Sequence, residues 1–190
     1  MNAMIKWKEL KGDGTMSETD VFKTYTLEEF DALPRKESCN YELIDGIILM
    51  SPHPSLTHQR IAGNIYFELR QALIGTLCHP IQEVDLVLNG NNFIPDLMII
   101  CNSKLEGPNY HEPPLIVIEI LSPSSASRDY VLKRRKYEEC GIREYWIISP
   151  EEKCVIVFDF SNHTDTTICT GTITSTSLPT LRIEINAIFA

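Results

Sequence analysis

Apolar residues recur along residues 55–75 at Leu56, Ile61, Ile65, Leu69 and Leu73, the spacing of one helical face, and Gly75 supplies a stop. The pattern predicts an amphipathic helix covering one face of a sheet. Upstream, "TLEEFDALP" joins a capping threonine, Thr26, to an early acidic pair and a stopping proline, which predicts a short helix. Between the two, "YELIDGIILMS" reads as two strands around a tight Asp45-Gly46 turn.

Further on, "TLCHPIQEVDLVLNGNNFIPDLMIIC" predicts a strand, a turn at Asn89-Gly90 and a second strand. A 13-residue loop rich in Pro, Gly and Asn follows Cys101, and then a strand over 115–121 that is apolar on both faces, as expected of a central strand. A helix from about Ser127 to Cys140 closes on Gly141, and "EYWIIS" is the next strand. Strand, helix, strand with short connections implies a right-handed crossover and a locally parallel pair. Residues 153–189 read as two or three more strands at an edge, residues 1–24 as a polar, flexible lead, and residues 25–190 as a single domain. The expected class is α/β, a mixed sheet flanked by helices with additional C-terminal strands.

Composition narrows this only a little. A chain of 190 residues with 43% hydrophobic and 23% charged residues is globular and long enough for a real core. No apolar run approaches the roughly 18 residues needed to span a bilayer, and "MNAMIKWKELKGDG" lacks the apolar core of a signal peptide, so no membrane partner and a cytoplasmic location are expected. The six cysteines are scattered without a C-x-x-C pair, which points to reduced, mostly buried thiols rather than a zinc site or disulfide framework. A net charge of −9 works against sequence-independent binding to nucleic acid. One local basic run stands out, "RDYVLKRRK", with five basic residues in nine positions; on a helix such a run is most often a solvated face.

The chemistry centres on "PPLIVIEILSPSS", where Glu119 interrupts an apolar strand near its C-terminal end, the end at which open α/β sheets bind ligands. A buried carboxylate is costly unless it is paired, hydrogen-bonded or bound to a metal. The other conspicuous acid is Asp96 in "FIPDLMIIC". If the two strands are neighbours, both carboxylates converge and repel unless a cation lies between them, and oxygen ligands of this kind suit Mg²⁺ or Mn²⁺.

Pro95-Asp96, then "VIEILSPSS" with 22 residues between Asp96 and its Glu119, then "DYVLKRRKYEECGIREYWIISP", resembles the putative restriction endonuclease family of the PD-(D/E)xK nuclease superfamily. "YELIDGIILMSPHPSLTHQRI" and "SLPTLRIEINAIF" resemble that family too, so the likeness runs from about Tyr25 to Phe189. It implies a divalent metal at Asp96 and Glu119 and hydrolysis of nucleic-acid phosphodiesters, DNA first among them. The chain departs from the superfamily pattern at Leu121, where its lysine should fall. The family commonly moves that lysine to the following helix with a tyrosine four residues later, here Lys133 and Tyr137. Glu42 is similar to the family's early acid, a further metal ligand or else a sheet-edge carboxylate. His58 matches an early helix histidine, in contact with phosphate or moving a proton, or else an ordinary surface histidine.

Arg134, Arg135 and Lys136 are candidates to dock the nucleic-acid backbone. Asp129 reads as an N-terminal helix charge paired with Lys133, and Glu83 and Asp85 either as outer acids of the site or, more simply, as an ordinary solvent face. A homodimer would supply the two sites needed to cut both strands of a duplex. The rival reading is a catalytically inactive nuclease-fold module that binds nucleic acid or a protein partner, favoured by Leu121 and the −9 charge.

Overall fold

The computed structural model describes residues 23–36, 38–102, 106–122 and 128–190. Nearly all of the lead expected over residues 1–24, and the expected helix start at Ser127, lie outside them.

Helix α1 (Leu27–Asp31) begins on a capping box in which Thr26 and Glu29 satisfy each other's backbone N–H. Strands β1 (Cys39–Ile44) and β2 (Ile47–Pro52) pair antiparallel with Ile44 opposite Ile47, which leaves Asp45 and Gly46 as a two-residue turn. Both have positive φ, 52° and 75°, which the Asp-Gly pair tolerates and which matches the strand twist.

Helix α2 (Leu56–Ala72) is capped by Ser55 and buries Ile61, Ala62, Ile65 and Leu69. Leu56, read from the sequence as part of that face, is 92% exposed because it precedes the turn that meets the sheet.

The run after α2 is where the chain departs from expectation. The single strand expected before Asn89-Gly90 is broken into β3 (His79–Gln82) and β4 (Leu86–Leu88), and the strand after it into β5 (Asn91–Phe93) and β6 (Leu97–Ile100). The pieces belong to different sheets. β4 and β5 join the first hairpin in a four-stranded sheet ordered β2-β1-β5-β4. β3 and β6 enter a six-stranded sheet with β7 (Ile116–Ile120), β8 (Glu144–Ser149), β9 (Cys154–Asp159) and β10 (Thr164–Ile168), ordered β10-β9-β8-β7-β6-β3. The chain changes sheets near Glu83, whose φ is 49°, and again at Ile94-Pro95-Asp96. Proline cannot donate to a sheet ladder, so it suits such a corner.

Only β7 and β8 run parallel in the larger sheet, as the strand–helix–strand pattern predicts; its other pairings are antiparallel. The connection is not a uniform α-helix. Arg128–Lys133 winds as a π-helix and only Arg134–Glu139, α3, is α-helical. The wider π turn offsets the rotation that accumulates along an i,i+4 series, so Asp129, Lys133 and Tyr137 are all buried. The C-terminal region holds more than expected: β9 lies inside the sheet and β10 at its edge, while β11 (Thr172–Thr174) and β12 (Arg182–Glu184) form a separate hairpin before α4 (Ile185–Ile188).

Alternation along β7 divides the core. Ile116, Ile118 and Ile120 pack with Ile61, Ile65 and Leu69 of α2, while Val117 faces the cluster of Phe93, Tyr137 and Tyr145. Buried Glu144 is fully provided for: it accepts from Trp146 Nε1 (3.0 Å), Ser175 Oγ (2.8 Å), Thr176 Oγ1 (2.9 Å) and the backbone N–H of Ser177. It ties the last hairpin to the sheet without a cation.

The expectation of reduced thiols is corrected. Cys78 is bonded to Cys101 and Cys154 to Cys169, leaving Cys39 and Cys140 free. Each pair sits where an antiparallel register runs one residue past its last strand pair, β3 with β6 and β9 with β10, so cysteines 23 and 15 residues apart face each other. Among the described residues no helix is long and apolar enough to cross a membrane.

Candidate active site

The site forms where the two sheets meet. The β6–β7 register, with Leu97 opposite Ile118 and Met98 opposite Val117, continues to set Asp96 beside Glu119. Asp96 Oδ2 accepts from the backbone N–H of Ile120 (2.6 Å) and from His58 Nε2 (3.1 Å). His58 is carried there by the first turn of α2, whose cap, Ser55, accepts from the His58 N–H at 3.2 Å. On the other sheet Glu42 of β1 reaches across the corner and accepts from the Ile94 N–H at 3.0 Å.

Lys133 binds the two halves together. Its Nζ lies 2.8 Å from Glu42 Oε1, 2.8 Å from Glu119 Oε1 and 3.8 Å from Asp129 Oδ1, with its side chain 3% exposed. Tyr137, one helical turn on, donates its hydroxyl to the same Glu119 oxygen at 2.7 Å. The resemblance's substitution is thus geometrically coherent: Lys133 and Tyr137 converge on Glu119 from the helix, while Leu121 lies among the apolar residues of Tyr137's cluster.

Charge is unevenly distributed. Burial is the largest influence on Glu119 and pushes its carboxyl up to about 8; the Lys133 ammonium opposes this, and Asp96, Asp129 and Glu42 add to it. Burial pulls Lys133 down, but Glu119, Glu42 and Asp129 more than reverse it and keep the ammonium charged. For His58, burial lowers the pKa, and its hydrogen bond to Asp96 together with the charges of Asp96 and Glu83 raises it to a net increase. Tyr137 is pushed well up by burial and by Glu119, so its hydroxyl keeps the proton it donates to Glu119.

These groups, Tyr137 apart, line a cavity of about 230 Å³. Glu42, His58, Asp96, Glu119 and Lys133 all reach it, as does Asp129, whose pairing with Lys133 is as expected. Arg134, Arg135 and Lys136 do not line it. Arg134 lies 4.4 Å over the Phe158 ring, Arg135 pairs with Asp45 at 3.3 Å, and Lys136 pairs with Asp45 at 2.7 Å and Glu139 at 2.6 Å. Glu83 and Asp85 are also elsewhere, accepting from Gln59 (2.9 Å) and Asn92 (2.7 Å).

Sequence reasoning missed Asn40, His53 and Arg128 on the cavity wall. Asn40 was within reach, since it is two residues from Glu42 and shares its face. Arg128 was hidden inside a basic run read as one unit, and His53, between two prolines, carries no signal in the pattern.

Among the described residues no group of three or more His, Cys, Asp and Glu side chains stands ready as a ligand set for a metal. The donors present still fit a hard dication, which takes one or two carboxylates and retains its waters. The fit rests on two acids side by side on neighbouring strands and on an excess of acidic side chains: Glu42, Asp96, Glu119 and Asp129 against Lys133 and Arg128 in one cavity.

A model of the Uma2 family, described as "Putative restriction endonuclease", matches residues 27–186. The chain is similar in fold to the crystal structure of a putative nuclease belonging to DUF820 from Anabaena variabilis, with a TM-score of 0.76 at 21% identity, covering 86% of this chain and 97% of that one. No curated protein matches.

Proposed function

The chain belongs to the Uma2 family, described as putative restriction endonucleases, and from that premise we propose that it is a divalent-metal-dependent nuclease with Asp96 and Glu119 as its metal ligands. The observation that carries this reading is the β6–β7 register, which sets the two acids side by side on neighbouring strands in the lining of a cavity.

Mg²⁺ or Mn²⁺ bound there would lower the pKa of a bound water and offset charge developing on the phosphate and the leaving oxygen. The chain's own groups do the rest. Asp96 is aimed by the Ile120 N–H and His58, which fix one of its oxygens and leave the other for a ligand. Tyr137 holds Glu119 in one orientation from the apolar side. Lys133 orients an attacking water or meets the developing charge, in the role the superfamily gives to the lysine missing at Leu121. Glu42 holds the ammonium in place and is a further ligand candidate. A nucleic acid, DNA first, is the substrate; a recognition domain that would make this a restriction enzyme is not part of the reading.

Calorimetric titration of Mg²⁺ and Mn²⁺ into wild type and Asp96→Ala, alongside cleavage assays on plasmid, single-stranded DNA and RNA, tests it. Saturable binding lost in Asp96→Ala, with cleavage lost in parallel, is expected. A wild type that binds neither ion and cuts nothing would establish the rival, an inactive module, which Leu121 and the engagement of Lys133 with two carboxylates favour.

A further inference from the structure

We infer that Arg128 is the residue that receives the non-bridging oxygens of the scissile phosphate, an inference that rests on the nuclease reading and sharpens it.

A nuclease cavity must hold an anion over a carboxylate floor, so it needs a cation with donors to spare. Among the described residues Lys133 and Arg128 are the only lysine and arginine that line the cavity. Lys133 is largely committed, with its ammonium 2.8 Å from each of Glu42 and Glu119, while Asp129, at 3.8 Å, is beyond hydrogen-bond range. Two of its three protons go to Glu42 and Glu119, and the third is the one left to orient a water.

Arg128 is placed differently. Its side chain is 19% exposed, and its nearest acid, Asp129, lies 3.8 Å from Nε, beyond hydrogen-bond range. Nε is itself shut off from solvent and, among the described residues, donates to no protein group. A buried donor with no acceptor is costly, and ligand recognition is a common reason for retaining one. Guanidinium presents its N–H groups as a planar fork that matches two oxygens of a phosphate, which an ammonium cannot do. Arg128 also opens the π-helical segment that carries Lys133, so the phosphate-receiving and water-orienting groups would stand on one rigid element.

The test reads binding apart from cleavage. Inorganic phosphate is titrated calorimetrically into protein saturated with Ca²⁺, for wild type, Arg128→Ala, Arg128→Gln and Asp96→Ala, with Ca²⁺ affinity measured separately and melting curves run as the folding check. Loss of a charge-assisted contact corresponds to roughly tenfold or more in affinity. Arg128→Ala and Arg128→Gln should lose about that much phosphate affinity while keeping Ca²⁺ affinity within about threefold. Added guanidinium ion should restore part of the Arg128→Ala loss. Phosphate affinity unchanged in both Arg128 variants, or absent in wild type, overturns the assignment. If Asp96→Ala keeps its Ca²⁺ affinity while the Arg128 variants lose phosphate, the metal reading fails and the Arg128 assignment stands.

Discussion

Lys133 shows why a buried charge can be retained at a site otherwise built of apolar side chains. Its ammonium offsets two carboxylates that face each other across the sheet corner, and burying any one of the three alone would be prohibitive. Replacing it with methionine leaves Glu42 and Glu119 uncompensated, and urea unfolding should record a loss of about 3–5 kcal/mol. Saturating Mg²⁺ should recover part of that loss if the acids hold the ion. Glu119 supplies the pH dependence. Its carboxyl is raised from 4.5 to about 8 in the folded protein, so between those values the native state holds a proton that the unfolded state has released. The associated stability is present at low pH and fades as pH rises through 8. A metal needs the carboxylate, so Mg²⁺ affinity should climb between about pH 6 and 8, by up to tenfold per unit, with a proton released on binding. Calorimetry in buffers of different ionisation enthalpy would show this; an affinity flat with pH would contradict it. Asp96 and Glu119 were legible because each interrupts an apolar strand. Lys133 and Tyr137 carried no such mark and came only from the family's pattern.

The elements were legible wherever a local signal coincided with the global fold. Asp45-Gly46 is the plainest case, and it can be tested directly. A Cβ at Gly46 would stand 2.7 Å from Thr24 Cβ at a φ of 75°, so Gly46→Ala should cost about 1–3 kcal/mol, read as a fall in melting temperature. What could not be read was where a strand stops belonging to one sheet and starts belonging to another. "HPIQEVDLVL" and "NNFIPDLMII" alternate as though continuous, and only the left-handed backbone at Glu83 and the corner at Pro95 divide them. The π-helical turn is equally silent, because the apolar spacing that marks a helix does not distinguish a π turn from an α turn over six residues.

At the scale of the whole molecule, the cysteine count misled because it was read by spacing along the chain. Pairing follows strand register, a long-range property. Thiol titration in denaturant should find two free thiols before reduction, Cys39 and Cys140, and all six after it. Six before reduction would restore the original expectation. The one parallel pair of the six-stranded sheet, β7 with β8, is what the strand–helix–strand pattern predicted. The second sheet, packed on it to make the cavity, came as an addition. Within the basic run, Arg135 and Lys136 are paired with Asp45 and Glu139, so their charge is partly offset inside the molecule.

One nitrogen, that of Lys133, touches an acid from each of the two sheets. The cavity's occupancy is therefore written into the fastening of the fold. A ligand that draws the ammonium away from Glu42 loosens β1 from its neighbour, and the loosening extends along the hairpin to amides far from any ligand. Hydrogen–deuterium exchange at Leu43 and Ile44 should thus quicken as the cavity fills, a report from backbone that does not line it.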